Sequence, residues 1–251
     1  MKFPMNVPVK IVMLGAGGTG AFAAPHIYRL LYALERPARF IICDGDVVEA
    51  KNLNRQNFSP ADLGGNKARV LAERYASVFG METDVPSFIE KLDDLKELIS
   101  PKGWELEEYS SRQTPEMVIL LGCVDNNKSR QLCHEAFYQS ENLIYIDSGN
   151  GEFSGQVVCG VRRKGHTWSK PIGGVHPEML KSKDLFPSEL SCEDASAADP
   201  QSIAANITAA TAIVDMLYNI LAHGENMVRQ SEFSTKSLRM QAVLDKRRSA
   251  A

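Results

Sequence analysis

The sequence predicts an α/β protein built on a doubly wound, mainly parallel sheet, and three observations carry that expectation. An apolar run at Val9–Leu14 ends at glycines and is followed by a stretch of helical spacing and a second apolar run at 39–43. Strand, glycine-rich turn, helix and strand in that order make a right-handed βαβ unit. MVILL at 117–121 is continuously apolar, as a parallel strand covered on both faces must be. Ile203, Ile207, Ala210, Val214, Leu217 and Leu221 then mark one face of an amphipathic helix that Gly224 ends.

The remaining elements follow in order. Pro25 falls early in the first helix, where its missing N–H matters least. Residues 67–79 have helical spacing, a third strand is expected near 82–88, and 92–99 reads as a helix. The stretch 101–115 is polar and irregular, whereas 126–139 reads as a helix and LIYI at 143–146 as a strand. The first 150 residues thus form a Rossmann-like layer. Beyond Ser148, a strand at 155–161 precedes a Gly-, Pro- and Ser-rich stretch with little period up to about Ala198. Asp199 then offers an N-cap and Pro200 a first-turn proline for the closing helix. The tail beyond Ser231 is polar and is expected to fray. The organisation expected is one unit over 1–251, with a nucleotide-binding half at 1–150, a partner-facing region and helix at 151–230, and a tail at 231–251.

A formal net charge of −3 gives no electrostatic case for nucleic acid. No apolar run approaches the roughly 18 residues of a membrane span, and MKFPMNVPVK lacks a signal-peptide core. A cytoplasmic protein that binds neither nucleic acid nor membrane is the expectation. Cys43, Cys123, Cys133, Cys159 and Cys192 include no CxxC pair, so buried free thiols are expected and structural zinc is not.

The chemistry concentrates at 15–67. Gly15, Gly17 and Gly20, with Gly18 in the same turn, follow a strand and open a helix. That context gives GxGxxG its meaning: a tight turn, close backbone approach to phosphate, and helix–strand packing. The helix N-terminus presents N–H groups to an anion. Asp44 ends the second strand 24 residues after Gly20, where a carboxylate accepts from ribose hydroxyls of NAD or ATP alike. Asp46 beside it is a second ligand group or a loop cap.

Asn52, Asn54, Arg55 and Gln56 follow as a dense polar cluster, and Lys67 comes twelve residues after Arg55. Singly, each cation is most simply a solvated loop or helix-start residue. Together, a planar guanidinium and a point charge beside a glycine turn suit a triphosphate better than a dinucleotide. Asp125 directly follows the 117–124 strand segment, at the sheet edge where such folds bind ligands. It is a Mg²⁺ ligand or the N-cap of the helix after it, or both.

GAGGTG, DGD, NLNRQ, the lysine of GNKA and CVDNNKSR resemble the adenylating domain of the ThiF and MoeB family, related to ubiquitin-activating enzymes. The resemblance implies a mainly parallel doubly wound sheet with antiparallel strands at one end, and a homodimer. It implies attack by the C-terminal carboxylate of a small ubiquitin-like (β-grasp) protein on the α-phosphate of ATP. Carried over by motif, Gly15, Gly17 and Gly20 line the phosphates and Asp44 the ribose. Asn52, Arg55 and Lys67 hold and polarise the triphosphate, and Asp125 binds Mg²⁺.

This sequence departs from the family pattern in three places. Zinc-binding CxxC pairs are absent, and with eight residues before the first strand no counterpart is expected for the helix that carries an arginine into the partner's site in some relatives. Cys192 of LSCEDAS lies where relatives carry a zinc ligand or acyl-accepting thiol. Adjacent Glu193 and Asp194 oppose its thiolate, and a non-catalytic role is expected. The stretch LSCEDASAADPQSIAANITAA also resembles the ThiF-related proteins of PRTRC cassettes on bacterial mobile elements. An ATP-dependent adenylyltransferase is therefore the leading expectation. A catalytically silent nucleotide-binding scaffold of such a cassette is second. An NAD-binding oxidoreductase is third, because it leaves Arg55 and Lys67 unused.

Overall fold

The computed structural model describes residues 1–105, 113–186, 189 and 201–244. Its elements in order are β1 (Val9–Leu14), α1 (Gly18–Ala33), β2 (Ala38–Cys43), α2 (Lys67–Phe79), β3 (Thr83–Asp84), α3 (Leu92–Ile99), β4 (Gly103–Glu105) and β5 (Gln113–Pro115). They continue with β6 (Met117–Gly122), α4 (Asn127–Gln139), β7 (Leu143–Asn150), β8 (Ser154–Arg163), β9 (His166–Ser169), α5 (Ile172–Val175), α6 (Ile203–Ala222), β10 (Val228–Ser234) and β11 (Arg239–Leu244).

The main sheet runs β11-β10-β8-β7-β6-β1-β2-β3, with β9 paired to β8. The five strands from β3 to β7 are parallel, and β8, β10 and β11 are antiparallel. The expected sheet, with an antiparallel end, is the one observed. Alternate residues of β1 face opposite layers. Ile11 and Met13 join a core with α1, α2 and α6, while Val12 and Leu14 join one with α3, α4 and α5. Each such fully buried side chain contributes about 1.5–3 kcal/mol, which explains why the central strands read as unbroken apolar runs.

One central residue breaks that pattern. Lys10 of β1 is buried, and its ammonium lies 3.3 Å from Glu116 and donates to the carbonyl of Ser100 at 2.5 Å. Glu116 also accepts from Trp104 Nε1 and the Lys102 amide, each at 2.9 Å, and pairs with Arg39 at 2.9 Å. This charge cluster fastens the antiparallel β4–β5 pair, so within 101–115 the stretches Gly103–Glu105 and Gln113–Pro115 are paired strand rather than irregular chain.

Several other expectations shift. The third strand is only two residues, Thr83–Asp84, within the 82–88 expected. The Gly- and Pro-rich stretch contains β9, α5 and a 3-10 turn at Pro177–Lys181. Helix α6 starts at Ile203 with Ser202 as N-cap, its hydroxyl accepting from the Ala205 amide at 3.1 Å. Asp199 and Pro200 lie outside the described residues. Of the face expected for α6, Ala210, Leu217 and Leu221 are buried, but Ile203 and Ile207 are exposed, and the buried side also takes in Ala205, Asn206, Ala209, Ile213, Met216 and Ile220. By length and composition this helix could cross a membrane, but half of its most apolar window is buried against the rest of the fold. The tail expected to fray from Ser231 instead forms β10 and β11 up to Leu244.

Candidate functional site

The parallel strands point their C-terminal ends at one edge of the sheet, and most of the expected site residues gather there. Gly15 leaves β1 with φ +93°, and a Cβ on it would sit 2.5 Å from the Cys123 carbonyl oxygen. A Cβ on Gly20 would collide with the Gly15 carbonyl oxygen. These glycines let α1 begin directly over the strand end. Gly17 is the N-cap of α1 and no side chain caps it, so the first-turn amides face the open edge. Space beside Gly17 is bounded by the Gln56 amide, 3.7 Å from where a Cβ would be.

Asp44 braces this turn. Its Oδ2 accepts from the Ala16 amide at 2.6 Å and its Oδ1 from the Asp46 amide at 2.8 Å. Burial pushes the Asp44 carboxyl up to about 6, with Asp46 adding to the rise and Lys67 opposing it. Each oxygen keeps a lone pair for a ligand hydroxyl. Asp46 is not a loop cap: its Oδ2 accepts from Lys67 Nζ at 2.7 Å. The Lys67 side chain is 7% exposed and that of Asp46 58%, so the cation is sunk in the site and its counter-ion lies at the rim. Asn66 caps α2 and ties it to this loop, donating to the carbonyl of Asp44 at 2.7 Å.

Arg55 is held by Gln201, whose Oε1 accepts from Nη1 at 2.8 Å. Asn52 is buried and its Oδ1 accepts from the Glu49 amide at 2.9 Å, closing a capping box around the short Ala50–Asn52 turn. That local duty was not read from the sequence. Gln56 is buried with its Nε2 toward Gly17, where it can donate to an anion, and its Oε1 is unpaired among the described residues. Asp125 is exposed at the end of β6. It is not the helix cap, because Asn126 takes that place and accepts from the Ser129 amide at 2.8 Å.

Among the described residues, no three His, Cys, Asp or Glu side chains come together as a metal site. Asp125 is an exposed carboxylate outside any such group, and a Mg²⁺ ion held there would take most of its ligands from phosphate and water. Cys43, Cys123, Cys133 and Cys159 are buried, as expected. Cys192 lies outside the described residues.

Two groups escaped the sequence reading. Arg130 of α4 is buried, pairs with Asp147 of β7 at 3.1 Å, and donates to the carbonyls of Val124 and Ser148 at 2.6 and 3.0 Å. Tyr145 donates to the same carboxylate at 2.6 Å. Arg130 so clamps the strand ends under Asp125 and borders a cleft of about 330 Å³ reached by Gln156 and His176. The other group is Asn206, buried in α6 and bonded to Arg55 and Asn150. An amide among the apolar residues of α6 was its only signal, and the polar Thr208, Thr211, Asp215 and Asn219 elsewhere on that helix hid it.

A model of the ThiF family matches residues 7–250. The chain belongs to the ThiF family. It is 26% identical over 145 residues to ubiquitin-like modifier-activating enzyme 5 of Drosophila virilis, covering 57% of this chain and 34% of that protein. Among solved structures, PaaA superposes with a TM-score of 0.60 at 16% identity, covering 94% of this chain and 64% of PaaA. Escherichia coli MccB solved with ATP gives 0.60 at 17% identity, covering 94% and 63%. MccB in complex with N-formylated MccA gives 0.61 at 18%, covering 94% and 64%. These structures share the fold. The ThiF-family chain spans about a third of its curated relative and under two thirds of these structural neighbours.

Proposed function

We propose that this ThiF-family protein is an ATP-dependent adenylyltransferase that activates the C-terminal carboxylate of a small ubiquitin-like protein. The observation that carries the reading is the glycine turn braced by Asp44, with the buried Lys67 and the tethered Arg55 beside it. A dinucleotide site has no use for two cations there. The reading is also supported by MccB, a fold relative solved with ATP and with MccA.

In the proposed reaction a carboxylate oxygen attacks the α-phosphorus, the bond to the bridging oxygen breaks, and pyrophosphate leaves with the electron pair. The products are an acyl-adenylate and pyrophosphate. The α1 amides and Gln56 bind and orient the nucleotide, and Asp44 takes its ribose hydroxyls. Arg55 and Lys67 neutralise charge that grows on the leaving oxygens, so catalysis rests on placement and electrostatics. Asp125 would hold Mg²⁺, which supplies further neutralisation of phosphate charge. The proposal includes a homodimer in the cytoplasm, and a single unit over 1–251.

A second reading has its own support: both cations are already paired within the chain, as a silent nucleotide-binding scaffold would have them. ATP–pyrophosphate exchange, measured with tailed β-grasp proteins encoded nearby, separates the two. Exchange that disappears in Asp125→Ala supports the enzyme. ATP binding with no exchange against any of them supports the scaffold, and equal affinity for NAD and ATP defeats both.

A further inference from the structure

We infer that Asn206 is a positioning residue of the nucleotide site, holding the Arg55 loop against the glycine turn from the first turn of α6. The inference rests on the nucleotide reading above. Asn206 is fully buried on a helix face otherwise made of Ala, Ile, Met and Leu. Burying an amide is costly unless both of its ends are paired, and here both are. Its Nδ2 donates to the backbone carbonyl of Arg55 at 2.9 Å, and its Oδ1 accepts from Asn150 Nδ2 at 2.7 Å. Asn150 Oδ1 in turn accepts from the Thr19 hydroxyl at 3.2 Å. A Cβ on Gly18 would come within 2.6 Å of Asn206 Oδ1, so the amide also lies directly against the turn.

One side chain thereby joins four segments distant in sequence: the start of α1, the Arg55 loop, the end of β7 and α6. The same end of α6 reaches Arg55 twice, since Gln201 holds its guanidinium while Asn206 holds its carbonyl. Asn206 meets Arg55 at the backbone and packs against Gly18 at the turn, and among the described residues its hydrogen bonds go to neither the Arg55 guanidinium nor Lys67. Its effect is on where Arg55 stands, not on the chemistry itself. An apolar residue of the same volume would pack the helix as well but would leave the Arg55 carbonyl and the Asn150 amide buried without partners.

The test compares Asn206→Ala, Asn206→Asp and a packing control, Ile213→Val, which lies on the buried face of the same helix. ATP affinity is read by titration calorimetry and melting temperature by calorimetric scanning. Asn206→Ala is expected to weaken ATP binding about tenfold, while Ile213→Val lowers the melting temperature without changing affinity. Asn206→Asp is expected to weaken it further, relative to wild type, as pH rises and a charge forms against the Arg55 carbonyl. Affinity loss in Asn206→Ala no greater than in Ile213→Val would overturn the inference. Should both Asn206 variants fail to fold, Thr19→Val breaks the far end of the chain of bonds and is read the same way. Wild-type protein that does not bind ATP would defeat the proposed function instead. Hydrogen exchange at residues 52–58 of the nucleotide-free protein then decides: faster exchange in Asn206→Ala than in Ile213→Val upholds positioning, and equal exchange overturns it.

Discussion

Arg55 donates to the side-chain carbonyl of Gln201 at 2.8 Å, across 146 positions of sequence. The contact is neutral on one side, so it holds the guanidinium in place without cancelling its charge. Arg55→Ala should weaken ATP binding by about ten- to a hundredfold, the range of a lost charge-assisted contact to phosphate. Gln201→Ala should leave affinity within about threefold, because phosphate replaces the lost partner. Isothermal titration of both variants checks the pair, and equal losses would show that Gln201, not phosphate, is what Arg55 serves.

Asp44 gives the protein a pH signature. Burial raises its carboxyl to about 6 in the fold, against about 4 in an unfolded chain. Over that interval the unfolded chain releases this proton first, so rising pH favours unfolding. The destabilisation builds from about pH 4, is complete above about pH 6, and amounts to roughly 3 kcal/mol at most. Urea unfolding of wild type and Asp44→Asn across this range should show the slope in the difference between them. A difference that does not vary with pH would refute it.

Gly20 is a helical position where alanine ordinarily stabilises by about 1 kcal/mol. Here the added methyl collides with the Gly15 carbonyl oxygen, which belongs to backbone that cannot turn aside. Gly20→Ala should therefore destabilise by about 2 kcal/mol or more and lift α1 away from β1. Chemical denaturation measures the cost, and a stabilised variant would mean that the turn relaxes freely.

Arg130 and Asp147 form a buried pair, and the Asp147 carboxyl is pushed up by burial despite the Arg130 guanidinium beside it. Arg130→Leu should cost about 3–5 kcal/mol, since it strands Asp147 without its counter-charge. Adding Asp147→Asn should recover a good part of that loss. A double variant as unstable as the single one would place the cost in Arg130's bonds to Val124 and Ser148 instead.

The N-terminal half was legible because its central strands are buried on both faces and Gly15 and Gly20 are forced by collisions with backbone. Asp44, Lys67 and Asp125 stand at the ends or starts of elements that periodicity alone located. The C-terminal half was harder to read for a physical reason. Strand β10 buries Gln230 and Ser231, while β11 is exposed throughout, so neither shows apolar alternation. The α6 face was read correctly at Ala210, Leu217 and Leu221 but not at Ile203 and Ile207, because the start of the helix packs through Ala205, Ala209 and Ala212 in the core shared with the Ala-rich α1, and small residues give a weak signal. The two pairings that set the cations, Asp46 with Lys67 and Gln201 with Arg55, join residues whose proximity only the folded chain creates.

The reversal of direction between β7 and β8 has a consequence for how the protein can be handled. Beyond it, β7 with β8 and β10 with β11 are joined by short turns, as antiparallel neighbours can be, whereas β8 and β10 are joined by way of β9, α5 and α6. The β10–β11 turn at Leu238, which is 94% exposed, lies on the same edge as the C-terminal ends of the parallel strands, because Ser234 pairs with Ser154 beside the β7–β8 turn. A small fluorophore carried there sits on that edge with β8, β7 and β6 between it and β1, whereas a fused domain would crowd the edge where the glycine turn opens.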